Sequence, residues 1–532
     1  MFHRLRLNLS VCFSEPLARV QGLTSSSSSW HGKPSMAVSG LIFACKPHFS
    51  LRPPLFHCFR KIRLSSVAAI DTLDEPVSFI EDEDNQGPHF SPGKSVSREE
   101  SKLPQWKKLN SQDHGISTSK ISKPTRKVLN GLKRKGYEVY LVGGCVRDLI
   151  LKRTPKDFDI ITTTQLREVS SFSTSARNFG RGLTYEIERP VGSDKNDFVR
   201  WRNCLQRDFT INGLIFDPYA RIIYDYMGGI EDIRKAKVRT VIPASTSFQE
   251  DCGEFNKWSF NSTRILRAVR IAARLGFSFS RETAHFVKNL SSSILRLDKS
   301  RLLMEMNYMM AYGSAEASLR LLLKFGILEI LLPIQAAYFV RNGFRRRDKR
   351  SNMLLSLFSK LDRLLAPNRP CHSSLWVGIL AFHKALSDKP RDPFVVAAFG
   401  LAVHNGGDIS EAISIAKNIK KSHDNSFHEL SEPKNLENRT LINEVMDLAT
   451  SVKSIMCQMK DEHFVSQAMS AYPQAPFSDL VFECVTMGTE KGFVAKQGSR
   501  IDYELLALGS LREIRHTFAR VVFDTVYPID RT

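Results

Sequence analysis

Apolar positions recur with a helical period over residues 125–135, then crowd into the β-branched and aromatic run Tyr137 to Val142, which stops at Gly143 and Gly144. This pattern predicts a helix, a strand and a glycine turn. After the turn, Val146 to Leu151 has the spacing of a short helix and Asp157 to Thr162 (DFDIIT) that of a second strand. From residue 264 onward helical spacing dominates, as in Arg301 to Tyr312, Ala315 to Phe325 and Leu511 to Phe523, with few strand signals and no internal repeat. From Asp71 to Lys120 the chain is polar, with the acidic run Glu81, Asp82, Glu83 and Asp84, which predicts a flexible linker with folded structure starting near Pro124.

The 532 residues suffice for three or four compact units, and 42% hydrophobic with 25% charged is the balance of an ordinary globular protein. A formal charge of +21 points to a polyanionic partner such as RNA, or to an anionic membrane surface. The membrane reading loses ground because no uninterrupted apolar run is long enough for a span and no basic amphipathic stripe dominates a long helix. The first sixty-five residues carry Arg4, Arg6, Arg19, Lys33, Arg52, Arg60, Lys61 and Arg63, one acid (Glu15) and the run Ser25 to Ser29. That composition is expected of a transit peptide into mitochondrion or plastid, a disordered RNA-binding arm being the alternative. The nine cysteines form no CxxC pair and have no metal-spaced histidines beside them, as expected of a reduced interior.

Alternation along a strand turns Asp157 and Asp159 to one face, with Phe158 buried behind them. Two hard oxygen donors side by side invite Mg²⁺, and in phosphoryl transfer such ions activate an attacking hydroxyl and neutralise a leaving pyrophosphate. A DxD pair alone is far more often a solvated strand end than a metal site. Here it follows LVGGCVRD at 141–148, where Gly143 and Gly144 let backbone amides approach a triphosphate, the next helix N-terminus favours negative charge, and Arg147 is within reach of the same phosphates.

At these residues the chain resembles the class II tRNA nucleotidyltransferases and bacterial-type poly(A) polymerases of the polymerase β superfamily. The matching blocks are LVGGCVRDLILKRTPKDFDIIT, QRDFTINGLIFDP with YDYMGGIEDIRKAKVRTV, SFQEDC and RILRAVRIAARLGF, continued by LRLLLKFGILEILLP. The resemblance implies an α+β protein: a small polymerase-β-like nucleotidyltransferase head with a mixed sheet, followed by an all-α neck, body and tail. The expected division is a transit peptide over 1–65, a disordered linker over 66–120, the head over 121–245, a helical neck with the nucleotide-reading motif over 246–335, and an RNA-binding body and tail over 336–532. The resemblance implies Asp157 and Asp159 as metal ligands, Asp208 as a further catalytic carboxylate, and Gly144, Arg147, Arg207, Arg267 and Arg270 as nucleotide contacts. It also implies Asp251 and Arg264, in the place of an EDxxR motif, as the pair that reads the incoming base.

Three departures from the family pattern stand out. Gln206 occupies the place of a first arginine before Arg207. The segment GEFNKWSFNST separates Cys252 from Arg264, so Asp251 and Arg264 cannot share one helical turn. Between the DxD strand and RDFTIN the chain runs TTTQLREVSSFSTSARNFGRG, as if two strands had been excised near Glu168 and Val169, which would expose a sheet edge.

Further on, FVRNGFRRRDKRSN interleaves Arg341, Arg345, Arg346, Arg347, Lys349 and Arg350 with Phe339 and Phe344, a composition suited to phosphate contact and base stacking. The leading expectation is polyadenylation of organellar RNA, with RNA 3′ ends and ATP as partners and Mg²⁺ as cofactor. CCA addition to tRNA, which also takes CTP, is the second, and a catalytically impaired RNA-binding form the third. His383 and His404 are expected as core or surface residues rather than ligands.

Overall fold

Ser122 accepts a hydrogen bond from the Thr125 amide and opens α1 (Lys123–Arg134), with Pro124 in the first turn, where its missing amide hydrogen breaks no helical bond. In the computed structural model, residues 3–8, 106–163, 177–178, 194–248, 258–344, 352–365, 369–472, 496, 498 and 500–528 are described, with 3–8, 177–178 and 258–262 by backbone alone. The head comprises β1 (His3–Asn8), β2 (Lys107–Asn110), α1, β3 (Val139–Val142), α2 (Gly144–Ile150), β4 (Asp157–Thr162), β5 (Arg177–Asn178), α3 (Lys195–Leu205), β6 (Ile215–Asp217), β7 (Ile222–Asp225), α4 (Gly229–Arg234) and β8 (Lys237–Val238). The neck follows with α5 (Ala244–Phe248), α6 (Trp258–Leu275), β9 (Ser278–Phe279), α7 (Arg281–Asn289), α8 (Lys299–Met310), α9 (Ala315–Lys324), α10 (Ile327–Leu331) and α11 (Pro333–Arg341). Body and tail are helical throughout their described residues: α12 (Met353–Leu365), α13 (Ser373–Asp388), α14 (Pro393–Asn405), α15 (Ile409–Ala416), α16 (Asn438–Lys460), α17 (Glu462–Met469), α18 (Tyr503–Ala507) and α19 (Leu511–Val526).

Seven strands form the head sheet in the order β2-β7-β6-β3-β4-β1-β5. Its pairings are antiparallel, while β8 and β9 pair in parallel beside it, so both kinds of pairing occur. On one face Leu141, Phe158 and Ile160 pack with Leu129, Leu132 and Val146 of α1 and α2. On the other, Tyr140, Ile161, Tyr224 and Tyr226 pack with Cys204 of α3. Burying both faces keeps the central strands apolar at nearly every position, and on β4 Asp157 and Asp159 are the two charged exceptions.

Two expectations change here. Described chain resumes at Trp106, inside the stretch expected to be a linker through residue 120, and β2 pairs there with β7 from Lys107 opposite Asp225 to Asn110 opposite Ile222. The Trp106 ring also meets Tyr226 edge-on at 5.4 Å and tilts against Trp201 at 6.0 Å. A four-residue edge strand is too short for a periodicity signal, and its polar residues match its exposure. The second change concerns the edge expected to lie open beyond the DxD strand. There β1, from within the expected transit peptide, pairs antiparallel with the whole of β4, from His3 opposite Thr162 to Asn8 opposite Asp157.

α8 stops two residues short of its apolar pattern. Tyr312 and Gly313 adopt φ of 65° and 72°, left-handed values that end a helix. The neck, body and tail share one extended apolar core, in which His383 is buried between Tyr338 and Glu429. Among the described residues no helix is long and apolar enough to cross a membrane, and Cys145, Cys204, Cys371 and Cys457 are free thiols.

Candidate active site

The site is assembled at the end of β4, where the strand's two acids meet the glycine turn between β3 and α2. Gly143 has φ of 81°, and its amide donates to the Leu214 carbonyl at 3.1 Å, which ties the turn to the strand-entry loop of β6. A Cβ at this position would lie 2.9 Å from Nη1 of Arg207 and 3.5 Å from Oδ2 of Asp159. Only glycine therefore satisfies both the backbone conformation and the space. Gly144, by contrast, opens α2 with ordinary room for a side chain, the nearest atom to a Cβ being Nη2 of Arg147 at 3.5 Å.

Asp157 and Asp159 are half-buried, and Nη1 of Arg207 stands 3.6 Å from Oδ2 of Asp159. Arg207 is itself buried and donates to Oδ1 of Asn203 at 3.4 Å. A buried guanidinium beside two carboxylates lowers the local negative potential and leaves a cationic wall for phosphate. Arg147 is aimed by two partners: its Nη1 donates to Oδ1 of Asn212 at 2.6 Å, and Nε and Nη2 to Oδ1 of Asp148 at 2.9 and 2.7 Å.

Asn212 continues the network, its Nδ2 donating to Oδ1 of Asp208 at 2.9 Å. Asp208 in turn accepts from Nε of Arg267 on α6 and from the Phe209 amide at 2.9 Å. Burial by itself would raise the Asp208 carboxyl, but the Arg267 guanidinium, Asn212 and the Phe209 amide outweigh it and hold it well below the usual carboxylate range. Asp208 is thus a charged strut between head and neck. Among the described residues no group of three or more His, Cys, Asp or Glu side chains is placed to hold a metal ion.

On the neck, Nη1 of Arg264 donates to the carbonyl and hydroxyl of Ser247, both at 3.3 Å, which docks it on the end of α5. Arg270 donates from Nε to Oε2 of the buried Glu305 at 2.8 Å. Asp251 lies outside the described residues, as do Arg345, Arg346, Arg347, Lys349, Arg350 and most of the segment expected to lack two strands. Arg341 is exposed at the end of α11. Phe339 and Phe344 are not stacking platforms: both are buried, 4.9 Å apart and edge-on to each other, and both contact Phe358. Their spacing along a basic run looks like an RNA surface, but one side of that run faces the core.

Sequence reasoning missed Asn203, Asp148, Asn212 and Glu305. Asn212 was within sight in the RDFTIN block, whereas Glu305 becomes a site residue only when α8 packs on α6.

The fold is a mixed-sheet α+β head followed by a helical neck, with the two acids, the glycine turn and two arginines gathered at one end of β4. Residues 139–181 and 199–239 match the poly A polymerase head domain, and 276–339 match the probable RNA and SrmB- binding site of polymerase A. These matched segments of head and neck are consistent with the class II tRNA nucleotidyltransferase and bacterial-type poly(A) polymerase family. Among particular relatives, the chain is 30% identical over 287 residues to poly(A) polymerase I of Escherichia coli O157:H7, covering 47% of this chain and 60% of that protein. It is 30% identical over 221 residues to the CCA-adding enzyme of Geobacillus stearothermophilus, covering 38% of this chain and 52% of that enzyme. A solved structure of the Bacillus stearothermophilus CCA-adding enzyme in complex with CTP is 20% identical, covering 66% of this chain and 88% of that one with a TM-score of 0.37. The chain thus spans just over half the length of the curated relatives it matches.

Proposed function

We propose that this chain is a template-independent RNA 3′-end nucleotidyltransferase that polyadenylates organellar RNA. The observation that carries the reading is the convergence of Asp157 and Asp159 with Gly143, Arg207 and the aimed Arg147 at one end of β4. The two carboxylates suit Mg²⁺, which takes one or two protein carboxylates and fills its other positions with water and phosphate. When bound there by Asp157 and Asp159, the ion would activate the RNA 3′ hydroxyl and neutralise the leaving pyrophosphate. The chain's own residues do the rest. The Gly143 turn admits the triphosphate close to the backbone, Arg147 and Arg207 hold its charge, and the strut from Asn212 through Asp208 to Arg267 fixes the distance between head and neck.

The poly(A) polymerase relatives support the ATP-specific reading, since their likeness runs over 287 residues and that of the CCA-adding enzymes over 221. The acid-poor, serine-rich composition of residues 1–65 supports import into mitochondrion or plastid. The test incubates the full chain with Mg²⁺, a short RNA and a tRNA lacking its terminal CCA, supplying each nucleotide separately. Long tails from ATP are the expected result. Three ordered additions to the tRNA would replace polyadenylation by CCA addition, and no incorporation by folded protein would overturn the enzymatic reading.

A further inference from the structure

Beyond the nucleotide-holding residues, the cationic face of α6 continues away from the site. Arg267, which grips Asp208, is followed at helical spacing by Arg270 and Arg274. Each of these two lies against a tyrosine of the α8 end, Arg270 at 5.4 Å from the Tyr308 ring centroid and Arg274 at 4.9 Å from that of Tyr312. The two rings are 6.2 Å apart. Lys156, the residue before the first acid of β4, places its ammonium 4.5 Å from the Tyr312 ring and donates to the Tyr312 hydroxyl at 2.5 Å. A shelf of two neighbouring rings backed by three cations therefore starts one helical turn from the Asp208 strut and reaches the edge of the DxD strand.

Three further observations mark the shelf as built for a ligand. Tyr308 is 41% exposed although its neighbours Met306, Met309 and Met310 are all buried. Arg270, beneath it, is fixed by Glu305 and cannot swing out to solvent without leaving that carboxylate alone in the core. Tyr312 is held at φ 65°, a conformation costly for a residue with a ring, and its amide donates to the Arg369 carbonyl at 3.0 Å.

We propose that Tyr308 and Tyr312, backed by Arg270, Arg274 and Lys156, stack the terminal bases of the single-stranded RNA whose 3′ end is extended. This rests on the site being a nucleotidyltransferase centre. Every base has a π-face, so such a shelf accepts any sequence, and the cations beside it match the phosphates. Arg264 lies six residues before Arg270 on α6, nearly two helical turns from the shelf, which separates the shelf from the residue expected to read the incoming base.

The test uses the full chain and a short single-stranded RNA carrying a fluorescent adenine analogue at its 3′ end, titrated without nucleotide. Fluorescence should be quenched on binding to the wild type and to Tyr308→Phe. In Tyr308→Ala the quenching should be lost and affinity should weaken by about tenfold. In extension assays the same variant should raise KM for RNA and leave KM for ATP within about twofold. Unchanged quenching in Tyr308→Ala, or a loss that Tyr308→Phe does not restore, would overturn the shelf. A rise confined to KM for ATP would overturn it too. Quenching without any extension would leave the shelf standing and sink the nucleotidyl-transfer reading instead.

Discussion

Gly143 and Asn212 show how little freedom single positions have in this site. A methyl group at 143 would sit 2.9 Å from the Arg207 guanidinium on a backbone at φ 81°, so Gly143→Ala should lower extension by at least about 100-fold while the fold survives, as checked by kinetics alongside circular dichroism. Asn212 joins Arg147 to Asp208 by bonds of 2.6 and 2.9 Å. In Asn212→Ala both charged groups lose a partner, and kcat/KM for ATP should fall by roughly 10- to 100-fold. The Asp157→Ala, Asp159→Ala double variant should abolish extension and leave RNA affinity in a filter-binding assay nearly unchanged, because neither carboxylate supplies positive charge to RNA phosphates. Phe339 and Phe344 teach the converse lesson. Aromatic residues interleaved with arginines read as a stacking surface until packing shows them in the core.

At the scale of elements, α3 is the piece that carries Arg207 and Asp208 to their places. It is fastened to the sheet by Arg200, which donates to the hydroxyls of Tyr226 and Tyr140, both at 3.0 Å, and to Asp197 at 2.7 Å. Burial would raise the Asp197 carboxyl, but Arg200, Lys108 and Tyr226 bring it down to about 2. Because its pKa falls from 3.8 on folding, Asp197 stabilises the head above that value, and the contribution fades as pH drops from 3.8 toward 2. Its loss should remove about 2 kcal/mol in that window, and Asp197→Asn should flatten the acid limb of an unfolding curve. β1 makes a second expectation. Amides of β4 should exchange more slowly in a chain that keeps residues 1–8 than in one starting at residue 66, since β1 covers the β4 edge over six residues. Equal exchange would mean that β1 contributes nothing to the sheet.

For the whole molecule, the excess of basic over acidic residues, 76 to 55, sets the sign of every long-range encounter. RNA affinity should fall steeply with salt, and substituting a phosphate-contacting cation should lessen that slope by about one unit. Arg341, exposed at the end of α11, is the described cation on which to try this by titration at several salt concentrations. The long apolar core that runs from neck to tail turns these helices into a single support, so a cavity such as Phe358→Ala should cost about 3 to 5 kcal/mol and be felt in α11 and α12 together.

What the chain determined alone was whatever depends on neighbours in sequence. The strand Asp157–Thr162, the turn at Gly143 and Gly144, the pairing of two acids on one face and the helical run after residue 264 follow from periods of 2 and 3.6 and from glycine's tolerance of positive φ. The partners of those residues were decided in three dimensions. That Asp208 meets Arg267, that Glu305 holds Arg270, that Tyr312 lies under Lys156, and that β1 and β2 extend the sheet all depend on contacts between residues distant in sequence. Local periodicity carries no record of such contacts, because it reports which face of an element is buried and never what buries it.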